Sequence, residues 1–73
     1  MNDETLLKTF GMNIKFERLK RKLSQEKVAE ALEVSAVYIS NVESGKHSIS
    51  LVNANKFANF YEKPLDYLLT EKV

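Results

Sequence analysis

The sequence predicts a single all-α domain. Helical periodicity of apolar residues runs through the whole chain of 73 residues, and the strict alternation that marks a half-buried strand is absent. Residues that interrupt helices are few, since the chain has two glycines and one proline. A domain this small buries only about 60% of the surface that its unfolded chain exposes, so we expect dimerisation to stabilise it.

Composition argues against several classes of protein. Without cysteine the chain forms no disulfide or cysteine-based metal site, and one histidine, His47, cannot assemble a zinc site or a catalytic triad alone. No apolar run approaches the roughly 20 residues that span a membrane, and the N-terminus lacks the basic start of a signal peptide. We therefore expect a soluble cytoplasmic protein that is not an enzyme and has no cofactor or metal.

The first of five expected helices covers about the first twenty residues, and Gly11 marks the point at which it could break. One face carries Leu7, Phe10, Ile14 and Arg18. A second apolar stripe, on roughly the opposite side, carries Met12, Phe16, Leu19 and Leu23. A helix with two apolar faces either lies inside a bundle or lends one face to a partner.

Serine residues mark the starts of the next three helices. Ser24, Ser35 and Ser50 each precede a helical run, where serine accepts a hydrogen bond from a free backbone amide. Gly45 ends the third helix, because the left-handed conformation costs glycine nothing, and Pro64 opens a short fifth helix. The residues of these helices expected to face inward are Val28, Ala29, Leu32, Ala36, Ile39, Val42, Leu51, Ala54, Phe57, Ala58, Tyr61, Leu65, Leu68 and Leu69.

The net charge of +1 is unevenly distributed. From Lys15 to Lys27 six basic residues stand against Glu17 and Glu26, a local charge of +4, whereas residues 30–43 contain three acids and no base. Such a basic stripe is typical of a surface for an anionic partner. The alternative is a solvated helix end, where cations suit the negative end of the helix dipole.

Residues 24–45 form the most informative segment: two short helices joined at Glu33 and Val34. This is the helix-turn-helix arrangement, in which the second helix enters the major groove of DNA by its N-terminal end. From about Gly11 to Leu69 the chain resembles the phage Cro and repressor family, whose fold is the compact five-helix, lambda-repressor-like domain. The resemblance rests on Leu23-Ser24-Gln25, Val28-Ala29, Val34-Ser35, Tyr38-Ile39-Ser40, Glu43, Gly45-Lys46, Phe57-Ala58, Leu65-Asp66, Leu68 and Leu69. It implies one DNA-binding domain over residues 1–73.

The resemblance places the base-reading residues on the helix at 35–44. It implies base contacts by Ala36, Val37 and Asn41, and the helical step leaves Ser40 exposed beside them. Asn41 is the best candidate, because asparagine can form two hydrogen bonds with adenine, whereas valine and alanine can only pack against thymine methyl groups. An exposed Val37 has little structural purpose, which favours an interface.

Contacts with the DNA backbone are implied for residues near the two helix starts. Gln25 would bring its side-chain amide and backbone N–H to a phosphate, which a helix N-terminus attracts. Lys46 would supply a cation beside Ser48, and Ser35 and Tyr38 complete the set. The alternatives stay open: an exposed glutamine, a solvated loop lysine, serines that only cap helices, and a half-buried tyrosine whose hydroxyl reaches solvent.

The resemblance also implies a structural ion pair between Arg18 and Glu43, since the planar guanidinium of arginine can meet a carboxylate through two hydrogen bonds. Two positions depart from the family pattern, because Glu33 and Glu62 stand where glycine usually does. A non-glycine residue in the left-handed conformation costs about 1–2 kcal/mol. The bend between helices two and three could therefore be strained or differently shaped.

Together these patterns predict a sequence-specific transcriptional regulator that binds double-stranded DNA. We expect a homodimer on a palindromic operator with half-sites roughly 34–36 Å apart, and no small-molecule effector. The candidate dimer residues are Tyr61, Leu65, Tyr67 and the tail through Val73, or else Met12, Phe16 and Leu19. Phage repressors, restriction-modification controllers and small antitoxin regulators all fit. The alternative is a helical protein-interaction module, such as an antitoxin or anti-repressor partner, with only weak DNA binding.

Overall fold

The computed structural model describes residues 2–72, which form five α-helices and, within that range, no strand. The helices are α1 (Asp3–Lys20), α2 (Gln25–Leu32), α3 (Ala36–Glu43), α4 (Leu51–Tyr61) and α5 (Leu65–Leu69). The predicted five-helix, all-α fold is confirmed.

The first four helices begin with a side-chain cap. The side-chain oxygens of Asn2, Ser24, Ser35 and Ser50 each accept a hydrogen bond from the backbone amide three residues later, at 2.8–3.1 Å. Three of these caps are the predicted serines. Pro64 precedes α5 with a φ of −64° and makes no side-chain cap.

The first four helices also end in the same way. Each is followed by a residue with positive φ: Lys22 (57°), Glu33 (60°), Gly45 (74°) or Glu62 (55°). The next residue along the chain donates its N–H to the carbonyl oxygen five positions earlier, at 3.0–3.1 Å, which completes a Schellman motif. Glu33 and Glu62 therefore keep the backbone shape that glycine usually supplies, so the bends are strained rather than reshaped.

Relieving one strained bend should stabilise the protein. A left-handed glutamate costs about 1–2 kcal/mol, and glycine returns about 0.4–1 kcal/mol of this through the greater entropy of the unfolded chain. We expect Glu33→Gly to raise the free energy of unfolding by up to roughly 1 kcal/mol, measured in urea. The control Glu30→Gly, inside α2, should lower it by about 1 kcal/mol. A loss in both variants would contradict the strain at Glu33.

The helices enclose one core, in which Phe10 and Phe57 meet edge to face with ring centroids 5.9 Å apart. Tyr61 is fully buried, as its predicted inward position requires, so its candidacy for the dimer surface is wrong. One prediction about the core is also wrong. Leu51 is 75% exposed instead of facing inward, because it lies in an open groove beside the start of α1 and α5.

Gly11 lies within α1, which continues through it without the suggested break. A Cβ atom at this position would lie 2.4 Å from the carbonyl oxygen of Val42 and 2.5 Å from that of Glu43. The glycine is therefore needed for close approach, since it lets the backbone of α1 touch the end of α3.

Candidate nucleic-acid interface

The outward side of α3 carries three of the four residues predicted to read bases. Val37 is 69% exposed, Ser40 is exposed and Asn41 is partly exposed. The fourth, Ala36, packs partly against the core and lies at the edge of this surface. Buried Ile39 and Val42 hold the opposite side of the helix in the core. The surface combines methyl groups with a hydroxyl and a carboxamide.

Glu43, at the end of α3, is tied to both preceding helices. Arg18 donates from Nε to Oε2 at 2.7 Å and from Nη2 to Oε1 at 3.0 Å, and Gln25 Nε2 donates to Oε1 at 3.0 Å. Arg18 Nη1 also donates to the carbonyl oxygen of Leu23 at 2.9 Å. The hydrogen bond from Arg18 to Glu43 raises the pKa of Arg18, although burial alone would lower it. The two hydrogen bonds from Arg18 to Glu43 therefore hold the end of α3 against α1.

Gln25 has a role that sequence reasoning missed. It is half-buried, and Nε2 donates one of its hydrogens to Glu43. The side-chain amide keeps one further N–H, and the backbone N–H groups of the first turn of α2 also lack helical partners. No local signal could have revealed the bond, because the two residues are 18 positions apart.

Tyr38 is half-buried, and its hydroxyl oxygen accepts a hydrogen bond from Asn53 Nδ2 at 2.8 Å. The hydroxyl hydrogen remains free to be donated elsewhere. Asn53, in the first turn of α4, is a second residue that the sequence reasoning did not single out. Lys46 and Ser48 are exposed in the loop after α3, and Ser35 uses its hydroxyl oxygen to cap that helix.

Part of the positive charge of the basic stripe, residues 15–27, is neutralised by ion pairs within the chain. Of its six cations, Arg18 is paired with Glu43, while Lys20 and Arg21 are paired with buried Glu17 at 2.9 and 2.6 Å. Burial would raise the pKa of Glu17, but hydrogen bonds from Arg21 and Lys20 outweigh it and lower the pKa. The exposed cations Lys15, Lys22 and Lys27 form no ion pair with any residue in the range 2–72.

Within residues 2–72, no three His, Cys, Asp or Glu side chains come together in a way that could hold a metal ion. None of the helices in this range has the length and apolar character needed to cross a membrane.

Comparison with known proteins agrees with this geometry. A family model described as helix-turn-helix matches residues 14–68. This chain belongs to the helix-turn-helix family. The family predicted from the sequence is therefore confirmed, and the matched range includes α2 and α3.

Individual relatives of this helix-turn-helix chain cover most of its length. The control protein C.MunI of Mycoplasma sp is 37% identical over 59 residues, which is 80% of this chain and 77% of that protein. The structure of the restriction-modification controller protein C.AhdI from Aeromonas hydrophila is 32% identical, with a TM-score of 0.78 over 85% of this chain and 94% of that chain. The DNA-binding domain of BldD is 25% identical, with a TM-score of 0.81 over 96% and 100% of the two chains.

Proposed function

We propose that this DNA-binding transcriptional regulator acts as a homodimer on a palindromic operator, with α3 in the major groove. The proposal rests on the residues at the outward side of α3. Val37 exposes an apolar side chain that the core does not use, and Ser40 and Asn41 lie beside it. Apolar contact reads the thymine methyl group, and a carboxamide reads the adenine edge.

The residues proposed to hold the DNA backbone surround this surface. Gln25 and Ser35 lie at the N-terminal ends of α2 and α3, where free N–H groups and the helix dipole favour phosphate. Tyr38 has a hydroxyl hydrogen to donate, Lys46 supplies an exposed charge and Ser48 lies near it in the loop. These groups would fix the register of α3 without reading sequence.

Reading and anchoring residues should respond differently to mutation. Asn41→Ala is expected to relax preference at one base position per half-site, at a cost of about 1–3 kcal/mol. Lys46→Ala should weaken binding to all sequences similarly and reduce the dependence of affinity on salt. Binding isotherms on the selected operator and on single-base variants, at two salt concentrations, measure both. Identical behaviour of the two variants would contradict this division.

We propose that the homodimer forms through the groove beside α4. The groove has a volume of about 240 Å³, and its lining consists of Leu6, Leu7, Phe10, Ile49, Leu51, Ala54, Leu65 and Leu69, all apolar. Leu51 is 75% exposed and its neighbour Val52 is 69% exposed. A twofold interface brings a surface against itself, so an uncharged apolar surface avoids like charges in contact. Of the earlier candidates, Leu65 and, in the tail, Leu69 line this groove, and Val73 lies outside the described residues.

A charge placed on this surface should separate the subunits. We expect Val52→Glu to give a monomer in sedimentation and to weaken operator binding, because two carboxylates would meet at the interface. Ala31→Glu adds the same charge at an exposed position of α2 that does not line the groove, and it should leave the dimer intact. A dimer that persists in Val52→Glu would show that another surface forms it.

The specific regulatory role is proposed from two of the relatives. C.MunI is a control protein and C.AhdI a restriction-modification controller. We propose that this chain likewise controls a restriction-modification system by occupying a promoter in the cytoplasm. This role requires no catalysis, cofactor or small-molecule effector.

Selection from a pool of random duplexes tests the proposal. Enrichment of an inverted repeat, with affinity that falls steeply as salt rises, is expected. The same repeat should lie upstream of a restriction or modification gene near the gene for this chain. No enrichment, together with salt-insensitive binding to a protein, would instead favour the protein-interaction module.

A further inference from the structure

A second apolar surface lies on the outer side of α1. Met12 and Phe16 are each 53% exposed and Leu19 is 50% exposed. Their i, i+4, i+7 spacing aligns them along the helix, and we call this line the outer stripe. It lies opposite Phe10 and Ile14, which α1 buries in the core, and roughly 120° around the helix from Gly11 and Arg18, which contact the end of α3. The core cluster of the described residues does not include it, so packing within one chain does not explain it.

Two depressions adjoin the outer stripe. The larger, about 450 Å³, lies between α1 and the C-terminal segment, and Met12, Phe16 and Lys72 are among its lining residues. The smaller, about 200 Å³, shares Phe16 and Lys72 and adds Tyr67. Phe16 thus stands between two hollows that can receive the side chains of a partner.

The rim of the outer stripe is basic. The helical step places Lys8 and Lys15 along one side of the stripe and Lys20 along the other, and all three are exposed. Lys72 borders both depressions. Lys15 forms no ion pair with any described residue.

Nearby acids neutralise this rim only in part. Glu4 pairs with Lys8 at 3.1 Å, and Glu71 lines the larger depression. Glu17 carries one negative charge and pairs with both Lys20 and Arg21, so it neutralises only one of these two positive charges. The rim as a whole therefore keeps a net positive charge.

We propose that the outer stripe docks an acidic amphipathic helix of a different protein, with apolar residues at i, i+4 and i+7 and acidic residues beside them. The positive charge of the rim favours an acidic partner over a second copy of this chain. A second copy related by a twofold axis would bring the lysines of both rims together, whereas the uncharged groove beside α4 suits that contact. A nucleic acid would match the lysines but not three apolar side chains. Because the stripe and α3 lie on different sides of α1, partner and operator can be bound together.

Two synthetic peptides test the proposal. One carries leucines at i, i+4 and i+7 flanked by glutamates, and the other has lysines in place of the glutamates. The glutamate peptide should bind the full chain, with weaker affinity at higher salt, and shift the NMR signals of Met12, Phe16 and Leu19. Phe16→Ser should weaken this binding about tenfold, since it removes a large apolar contact. Val52→Ser, which removes an exposed apolar side chain elsewhere, should leave it unchanged.

A variant of a rim lysine tests the charge complementarity separately from the apolar contacts. Lys15→Glu should weaken binding of the glutamate peptide and strengthen binding of the lysine peptide. Equal binding of both peptides, or of neither, would overturn the proposal, as would loss of dimerisation in Phe16→Ser. Operator binding by Phe16→Ser should stay unchanged, which separates this proposal from the function of α3.

Discussion

Replacing Glu43 with alanine should destabilise the protein by about 3–5 kcal/mol, because Arg18 would remain buried without its carboxylate. The change also removes the acceptor of the 3.0 Å hydrogen bond from Gln25. A small domain has a total stability of roughly 5–15 kcal/mol, so much of it would be lost. Thermal unfolding followed by circular dichroism measures the effect.

Two further variants show whether the buried charge is the cause. Arg18→Met combined with Glu43→Leu leaves no uncompensated charge and should recover much of the lost stability. Glu4→Ala breaks the exposed pair with Lys8 and should cost only about 0.3–0.5 kcal/mol. If Glu43→Ala cost no more than Glu4→Ala, the pair would not brace α3.

Replacing Gly11 with alanine should also destabilise the protein, by about 1–3 kcal/mol, through overpacking. The direction is unusual, since in a helix interior alanine is normally more favourable than glycine by about 0.5–1 kcal/mol. Here the added Cβ would lie 2.4 Å from the carbonyl oxygen of Val42, and a backbone atom cannot rotate away as a side chain can. Urea unfolding measures the loss.

The same substitution should weaken operator binding, because α1 and the end of α3 must move apart. Asn55→Ala, at an exposed position of α4, provides a control that should be neutral or slightly stabilising. A Gly11→Ala variant that gained stability would mean that α1 and α3 have room between them.

Much of the local structure could be predicted because its signals are local. Ser24, Ser35 and Ser50 lie next to the amides that they cap, so the helix starts could be read directly. The ends were harder to predict. Glutamate is not typical of the left-handed conformation, and only the family resemblance indicated it at Glu33. Lys22 adopts the same conformation, but nothing in the sequence predicts it there.

Contacts between distant parts of the chain could not be predicted in the same way. Buried Asn13 donates from Nδ2 to the carbonyl oxygens of Leu68 and Thr70 at 2.8 and 2.9 Å, and so holds the end of α5 against α1. Helical periodicity does not distinguish such an asparagine from a solvated one. The outward side of α3 followed from the sequence more easily, because the core residues Ile39 and Val42 determine which residues lie opposite them.

The 2.8 Å hydrogen bond between Asn53 and Tyr38 has a mechanical consequence for the proposed dimer. Asn53 follows Val52 in the first turn of α4, so the turn that would meet the second subunit is joined by one side-chain bond to a residue of α3. If DNA displaces α3, the displacement would strain this hydrogen bond and the subunit contact together. The stiffness of the hydrogen bond would therefore help to determine how far the separation of the two half-sites can differ from its optimum before affinity falls.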